Sequence, residues 1–344
     1  MKNNSFSYNT PEIVSIIGTI DTYLKWREKT NEPRRYDVYH PSEFGGCARS
    51  MQYKRYAFLG LMQHEEEEFD TRMLRLFETG HHTQGRWEKY FTAMGILRGV
   101  WSCANPLCYK WNDNGIYEEN INENITKKHK RRIYGLDNKI GCFKPEKCTC
   151  GSSDFFYEEV SVKAPEMNMY GHTDMILDYS RFDPSKYEGV LKTFEEKNLP
   201  KNPIVADMKT IKAKGFDDMV KFGKPPSFKY QIQLQIYCNV LDCEYGVLIY
   251  ECKDDSRVAT YKIERNEEVW EDIQRQAKMM IEMADGKDEN GNNINLLPPP
   301  KYSDKKCYEC NYCQFKKKCH SSSIWNNPEL DNVRKYFYGS LLED

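Results

Sequence analysis

A chain of 344 residues is long enough to bury a sizeable core, as one large domain with insertions or as two domains. A net charge of -2 excludes a surface that is basic throughout, so a face for nucleic acid has to be local. The polar start MKNNSFSYNTPE offers no apolar leader and no later run is long enough to span a bilayer, so the thirteen cysteines are placed in a reducing, cytoplasmic setting (the host cytoplasm for a viral chain), where metal ligation is favoured over disulfides.

Pro11 to Lys29 carries Ile13, Ile16, Ile17, Ile20, Tyr23 and Leu24 at helical spacing, which predicts an amphipathic helix with Pro11 in its first turn. After a loop, Ser42 or Glu43 begins a second helix that carries Cys47. Residues 71–95 predict a long helix interrupted near Gly80. From Trp101 to Ser153 periodicity is lost and five cysteines appear, which reads as an insertion. Residues 155–163 and 172–179 predict strands joined through Pro165 and Gly171. A charged stretch, 181–202, leads to a strand at 203–209, a helix at 228–241, a strand at 246–253 and a helix at 266–285. A Gly/Asn-rich loop and the prolines 298–300 then separate this part from a Cys-rich tail. Strands interleaved with helices predict an α/β fold with a mixed sheet flanked by helices. Four regions follow: a helical 1–100, a metal-binding insertion 101–153, a core 154–300 and the Cys-rich 301–344. Cys238, Cys243 and Cys252 lie in apolar surroundings and read as small buried hydrophobes.

Asp174 closes GHTD, and Asp207 and Lys209 lie in IVADMKT. Residues two apart on a strand face the same way, so Asp207 and Lys209 share one side while Met208 faces the core. Two carboxylates suit magnesium, which takes one or two of them and keeps several waters. Such an ion neutralises phosphate charge and activates water in phosphodiester hydrolysis. The carbonyl of Met208 is a further candidate ligand, and Lys209 is placed to stabilise hydroxide or phosphate charge. An acid two residues before a lysine also occurs at Glu195–Lys197 and Glu251–Lys253, but no helix with the next feature follows Glu251. That feature is KYQIQLQIY, whose Tyr230, Gln233 and Tyr237 share one helical face. His172 lies two residues before Asp174 and reads equally as a phosphate contact or a structural histidine.

Taken in this order, the residues resemble the PD-(D/E)XK nuclease superfamily, and within it the RecB-like iron–sulfur exonucleases, including the CRISPR-associated group. The resemblance runs from about Ser42 to Cys319 and breaks at the insertions 101–153 and 181–202. It implies a metal-dependent DNA exonuclease that uses Mg2+ or Mn2+ on single-stranded ends in replication, repair or recombination. It also implies that Gln233 and Tyr237 lie beside the metal, touching Lys209 and the DNA. The family carries a metal-binding histidine four residues after a glycine, whereas here Gly80 is followed at that distance by Gln84. His81, His82, Gln84 and Glu88 are the candidates for that ligand. A site-specific endonuclease with the insertion as its reader, and a DNA-binding scaffold with a decayed site, are the alternatives. For the DNA, Tyr230, Tyr237 and Trp87 are candidate stacking platforms and Lys212, Lys214 and Lys221 candidate backbone contacts, while KKHKRR at 127–132 reads as solvated surface.

The tail CYECNYCQFKKKC holds Cys307, Cys310, Cys313 and Cys319. The spacing of Cys310, Cys313 and Cys319 matches the same nucleases, and the resemblance implies a 4Fe–4S cluster whose fourth thiolate is Cys47 in SEFGGCAR. The residues also allow a local zinc site in which Cys307 takes the place of Cys47. In the insertion, Cys103 with Cys108 and Cys148 with Cys150 form two half-sites of a zinc-ribbon-like module, with Cys142 as a substitute for one member.

Overall fold

The computed structural model describes residues 11–30, 34–63, 69–105, 108, 132–187, 199–287, 289–291 and 296–342. Residues 127–131 of the basic cluster and the Glu195–Lys197 pair lie outside them. In chain order the strands are β1 (Leu97–Cys103), β2 (Ile133–Tyr134), β3 (Cys142–Phe143), β4 (Phe155–Glu158), β5 (Val160–Ala164), β6 (Met169–Thr173), β7 (Met175–Leu177), β8 (Ile204–Ile211), β9 (Tyr245–Cys252) and β10 (Val258–Glu264). The helices are α1 (Pro11–Thr30), α2 (Ala48–Phe58), α3 (Thr71–Ala93), α4 (Ala213–Phe222), α5 (Phe228–Leu241), α6 (Glu267–Asp285), α7 (Tyr308–Asn311), α8 (Lys316–His320) and α9 (Leu330–Tyr338). No helix among the described residues is long and apolar enough to cross a membrane.

The main sheet runs β10-β9-β8-β7-β1, and β1 also pairs with β2, β3 and β4. Only β8 and β9 pair in parallel among these strands, so the sheet is mixed. β5 and β6 form a separate hairpin. The first half of β8 is covered on both faces, which explains the apolar run Ile204, Val205, Ala206. Val205 packs with α5, whereas Ile204, Ala206 and Met208 pack with Phe91 of α3. α5 is buried along most of its length and fits beside Gly45, where any Cβ would strike the backbone of Lys229. The tail returns to α2 and α6, and Phe337 and Tyr338 of α9 are buried among Tyr39, Phe44, Met51 and Ile273.

Several local expectations change. α3 runs unbroken through Gly80. A glycine inside a helix costs about 1 kcal/mol relative to alanine. The helix absorbs that cost because Asp70 caps Met73 N at 2.7 Å and Phe91 anchors its other end in the core. α1 leaves Ile17, Ile20 and Tyr23 exposed and buries Leu24, because its contacts run chiefly along α3, with Asp21 paired to Arg75 and Arg27 to Glu78. The second helix begins after Cys47, which stands at its N-cap. The composition change at Trp101 falls within β1, which continues into Cys103. The expected strands at 155–163 and 172–179 are each divided, the first at Glu159 and the second at Asp174.

Candidate active site

Those two breaks meet. The β5–β6 ladder starts with Val160 opposite Thr173, so Glu159 and Asp174 occupy the next position at its open end. Asp174 also precedes β7, whose pairing with β8 starts at Met175 opposite Ala206. Beyond that pair β8 has no β7 neighbour, and the Asp174 carboxylate takes the strand's place by accepting a hydrogen bond from Met208 N at 2.9 Å. A residue in a strand directs its N–H and C=O to the same side. The Met208 carbonyl therefore faces the gap beside Asp174, while its side chain is buried in the core.

Asp207 is fully buried, and its Oδ2 lies 2.6 Å from Lys209 Nζ. Gln233 Nε2 donates to Asp207 Oδ1 at 3.3 Å and to the Tyr237 hydroxyl at 2.8 Å. Tyr237 in turn donates to the carbonyl of His172 at 2.7 Å. The helix thus ties β8 to β6. Lys209 Nζ sits 4.7 Å from the centre of the Tyr230 ring. Tyr157 donates to the Asp174 carbonyl at 2.8 Å. From α3, Gln84 Nε2 donates to Glu88 at 3.0 Å and to Glu159 at 2.9 Å.

The result is a concentration of negative charge around one lysine. Burial, and then the neighbouring Asp174, pushes the Asp207 carboxyl up to about 7 against the opposing pull of Lys209. Burial and then Asp174 also push Glu159 up to about 7. Glu88 is raised, chiefly by burial. Burial disfavours the charge on Lys209, but Asp207 and Asp174 outweigh it and raise the group above its ordinary range. Burial leads in each case, and the repulsion of neighbouring carboxylates adds to it.

Of the residues singled out in the sequence, Asp174, Asp207, Lys209, Gln233 and Tyr237 come together, joined by Gln84 and Glu88. His81 and His82 point to the exposed side of α3. His172 directs its ring to Tyr170, 3.1 Å away. Glu251 is buried elsewhere, paired with Arg86 and accepting from Trp87 Nε1 at 2.7 Å. Tyr237 is buried and offers no free ring face, whereas Trp87, which packs on Phe91, and Tyr230 are half-buried. Lys221 pairs with Asp217 at 3.0 Å. Sequence reasoning missed Glu159 and Tyr157. The signal was the acid pair in FFYEEV, but a reading of 155–163 as one strand hides which acid turns inward.

The insertion thiols form a tighter group. The Sγ atoms of Cys103, Cys108, Cys148 and Cys150 all lie within 4.8 Å of one another, and among the described residues no other set of three or more Cys, His, Asp or Glu ligand atoms does so. Cys103 and Cys150 are 3.6 Å apart and Cys108 and Cys148 are 3.5 Å apart. A tetrahedron with Zn–S bonds of about 2.3 Å has edges of about 3.8 Å. Four thiols at that spacing suit a metal ion. Cys142 is not among them; its carbonyl accepts from Trp101 Nε1 at 3.0 Å.

The tail thiols are set more widely around α2. Lys301 N approaches Cys47 Sγ at 3.5 Å, and Cys313 Sγ lies 3.8 Å from Ser50 Oγ. Burial, and then Cys307, Cys47 and Cys319, raise the Cys310 thiol. Burial likewise raises Cys319, which feels Arg49, Cys47 and Cys313. Cys307 accepts from Cys310 N at 3.4 Å and caps α7. Arg49 pins the tail by donating to the Pro298 carbonyl at 2.8 Å and to Ser322 Oγ at 2.9 Å.

No protein-family model matches the chain, and no curated protein matches it. Among solved structures it is similar to the crystal structure of SSO0001, with a TM-score of 0.41 and 14% identity over 89% of this chain and 96% of that one. It is also similar to an alkaline exonuclease (LHK-Exo) from Laribacter hongkongensis, with a TM-score of 0.27 and 13% identity over 36% of this chain and 54% of that one.

Proposed function

We propose that the chain is a metal-dependent deoxyribonuclease of the PD-(D/E)XK type, acting as an exonuclease on single-stranded DNA ends. The observation that carries this reading is the buried Asp207–Lys209 pair set beside Asp174 at the gap in the sheet, with Glu159 and Glu88 adjoining. An excess of carboxylates over cations at one place fits a divalent ion held by oxygen donors. Asp174, Asp207 and the Met208 carbonyl would hold Mg2+ or Mn2+, with Glu159 and Glu88 nearby. The Gln84 amide, turned over, would present its oxygen in place of the nitrogen that now faces the two glutamates. When bound, the ion supplies charge neutralisation at the phosphate and a more acidic water.

The chain's own groups do the rest. Lys209 brings a positive charge to the reacting phosphate and stays protonated, because Asp207 and Asp174 raise its proton affinity. Gln233 orients Asp207, and Tyr237 holds Gln233 against β6. Tyr230 lies next to Lys209, where a base can stack on its ring. The four insertion thiols would hold structural zinc in a ribbon-like module, and the wider tail set with Cys47 would hold a 4Fe–4S cluster, which is larger than a single ion.

The test is digestion of end-labelled DNA, single- and double-stranded, with Mg2+, with Mn2+ and with EDTA. Metal-dependent release of nucleotides from ends is expected. No cleavage under any metal condition, from protein that carries its bound metals, would overturn the reading.

A further inference from the structure

We propose that the four-cysteine module braces the acidic site through β4, so that metal held by Cys103, Cys108, Cys148 and Cys150 sets the position of Tyr157 and Glu159 beside Asp174. The inference rests on the reading of both sites as metal sites and adds a coupling between them.

The connection is short and continuous. Cys103 is the last residue of β1, and Cys148 and Cys150 lie just before β4. β1 and β4 pair from Cys103 opposite Phe155 to Val100 opposite Glu158. A metal bridging Cys103 to Cys148 and Cys150 therefore closes the end of the β1–β4 ladder where β4 begins. The ladder then carries that restraint toward the acidic site. Ser102 Oγ donates to Glu158 at 3.1 Å, and the Trp101 and Tyr157 rings meet edge-on at 5.3 Å. Gly99 completes the seat, because a Cβ there would collide with the Tyr157 ring. Seated in this way, Tyr157 donates to the Asp174 carbonyl, and the next residue but one, Glu159, meets Gln84. β4 is a four-residue strand that follows a loop, and among the described residues its one strand partner is β1, so a metal at the start of that ladder adds a restraint that a single short pairing lacks. Tyr157 is on this view a positioning residue, since it touches the backbone of Asp174 and no reacting atom.

The test uses the full chain as purified, with zinc and iron measured, and reads Mn2+ binding at the acidic site by electron paramagnetic resonance. Cys150→Ser alters the exposed member of the thiol set and leaves the core untouched. It should lose zinc, lose amide protection across 155–159 while β8 and β9 keep theirs, and bind Mn2+ more weakly, on the order of tenfold or more, as groups that orient metal ligands do. Tyr157→Phe should keep its zinc and still weaken Mn2+ binding severalfold. Gly99→Ala should behave like Tyr157→Phe. If Cys150→Ser loses zinc but keeps both the protection and the Mn2+ affinity, or if Tyr157→Phe binds Mn2+ like the wild type, the brace is overturned. Should Cys150→Ser unfold the whole chain, the Tyr157→Phe and Gly99→Ala measurements decide. A wild-type chain without zinc, or without Mn2+ binding, instead overturns the metal-site readings themselves.

Discussion

Lys209 Nζ lies 2.6 Å from Asp207 Oδ2, and that carboxylate is fully buried while the lysine keeps a fifth of its side chain exposed (20%). The pair therefore has one end in the protein and one at the gap where substrate would enter. Asp207→Ala and Lys209→Ala should each abolish cleavage, with losses on the order of 10²-fold or more, as when a charge-stabilising group is removed from a transition state. Asp207→Asn should be equally inactive but should melt no lower than the wild type without added metal, since it removes a charge that burial and Asp174 oppose. Thermal melts alongside digestion assays check both halves. An active Asp207→Asn would remove Asp207 from the site.

Glu251 provides the contrast. It has the same acid-x-lysine spacing, but its carboxylate is engaged by Arg86 and Trp87 and links β9 to α3. Glu251→Gln should retain cleavage and lose stability, by roughly 1–3 kcal/mol for a disrupted buried hydrogen-bonded group. Denaturant titration reads the second effect. Loss of cleavage in a folded Glu251→Gln would place the catalytic strand at β9.

The raised carboxyls fix the pH behaviour. Asp207 and Glu159 both titrate near 7 in the folded chain, above an unfolded carboxyl at about 4. The folded state therefore binds these protons more tightly. That contribution to stability is complete below about pH 4 and is lost as pH rises through about 7. Mg2+ or Mn2+ held by these carboxylates, as proposed, would compete with the same protons. The metal-free melting temperature should fall between about pH 5 and pH 8, and the gain on adding Mg2+ should be larger at the higher pH. An equal gain at both would mean that these carboxylates do not bind the ion.

The two cysteine sets should separate by mutation. Cys47→Ser should remove iron and the visible colour of anaerobically purified protein as fully as Cys313→Ser, while zinc remains. Cys148→Ser should remove zinc. Cys307→Ser should keep the iron, because the Cys307 sulfur is used as a cap for α7. If Cys47→Ser retains every metal and Cys307→Ser loses one, the tail holds a local zinc site instead.

Much of this arrangement was legible because local pattern dictated it. The helix expected at 228–241 coincides with α5, and the strand carrying Asp207 and Lys209 is β8, since apolar runs bounded by loop residues leave few alternatives. Glu159 was not legible. Its position depends on the β5–β6 register, which places it opposite Asp174, and that register is fixed by the geometry of the 165–168 turn, which the pattern of apolar and acidic residues does not disclose. Gln84 was ambiguous for a related reason. Only the packing of α3 on the sheet directs Gln84 and Glu88 inward and leaves His81 and His82 outside. Tyr237 is not a stacking platform, because an aromatic residue in sequence does not disclose its burial, and Tyr237 is used inside the protein.

The substrate prediction follows from how the site is enclosed. α2 and the tail are tied together by Arg49 and by the packing of Tyr53 on Phe315, stacked at 5.1 Å. The Gly45 loop before α2 is held against α5, which carries Gln233 and Tyr230, and Lys301 of the tail donates to the Gly45 carbonyl at 2.9 Å. A site whose flanks are fastened in this way would, on the proposed reading, admit a flexible strand more readily than an intact duplex. Stacking on Tyr230 would contribute roughly 1–3 kcal/mol per base. Backbone contacts from Lys212 and Lys214 would make binding weaken linearly on a logarithmic salt scale. Linear single-stranded DNA should therefore be degraded progressively from an end, and more slowly as salt rises, while a closed single-stranded circle resists. The comparison is made with equal nucleotide concentrations of the two, in Mg2+ and again in Mn2+. If the circle is cut as fast as the linear strand in both metals, the enzyme does not need an end, and the exonuclease reading gives way to an endonuclease built on the same site.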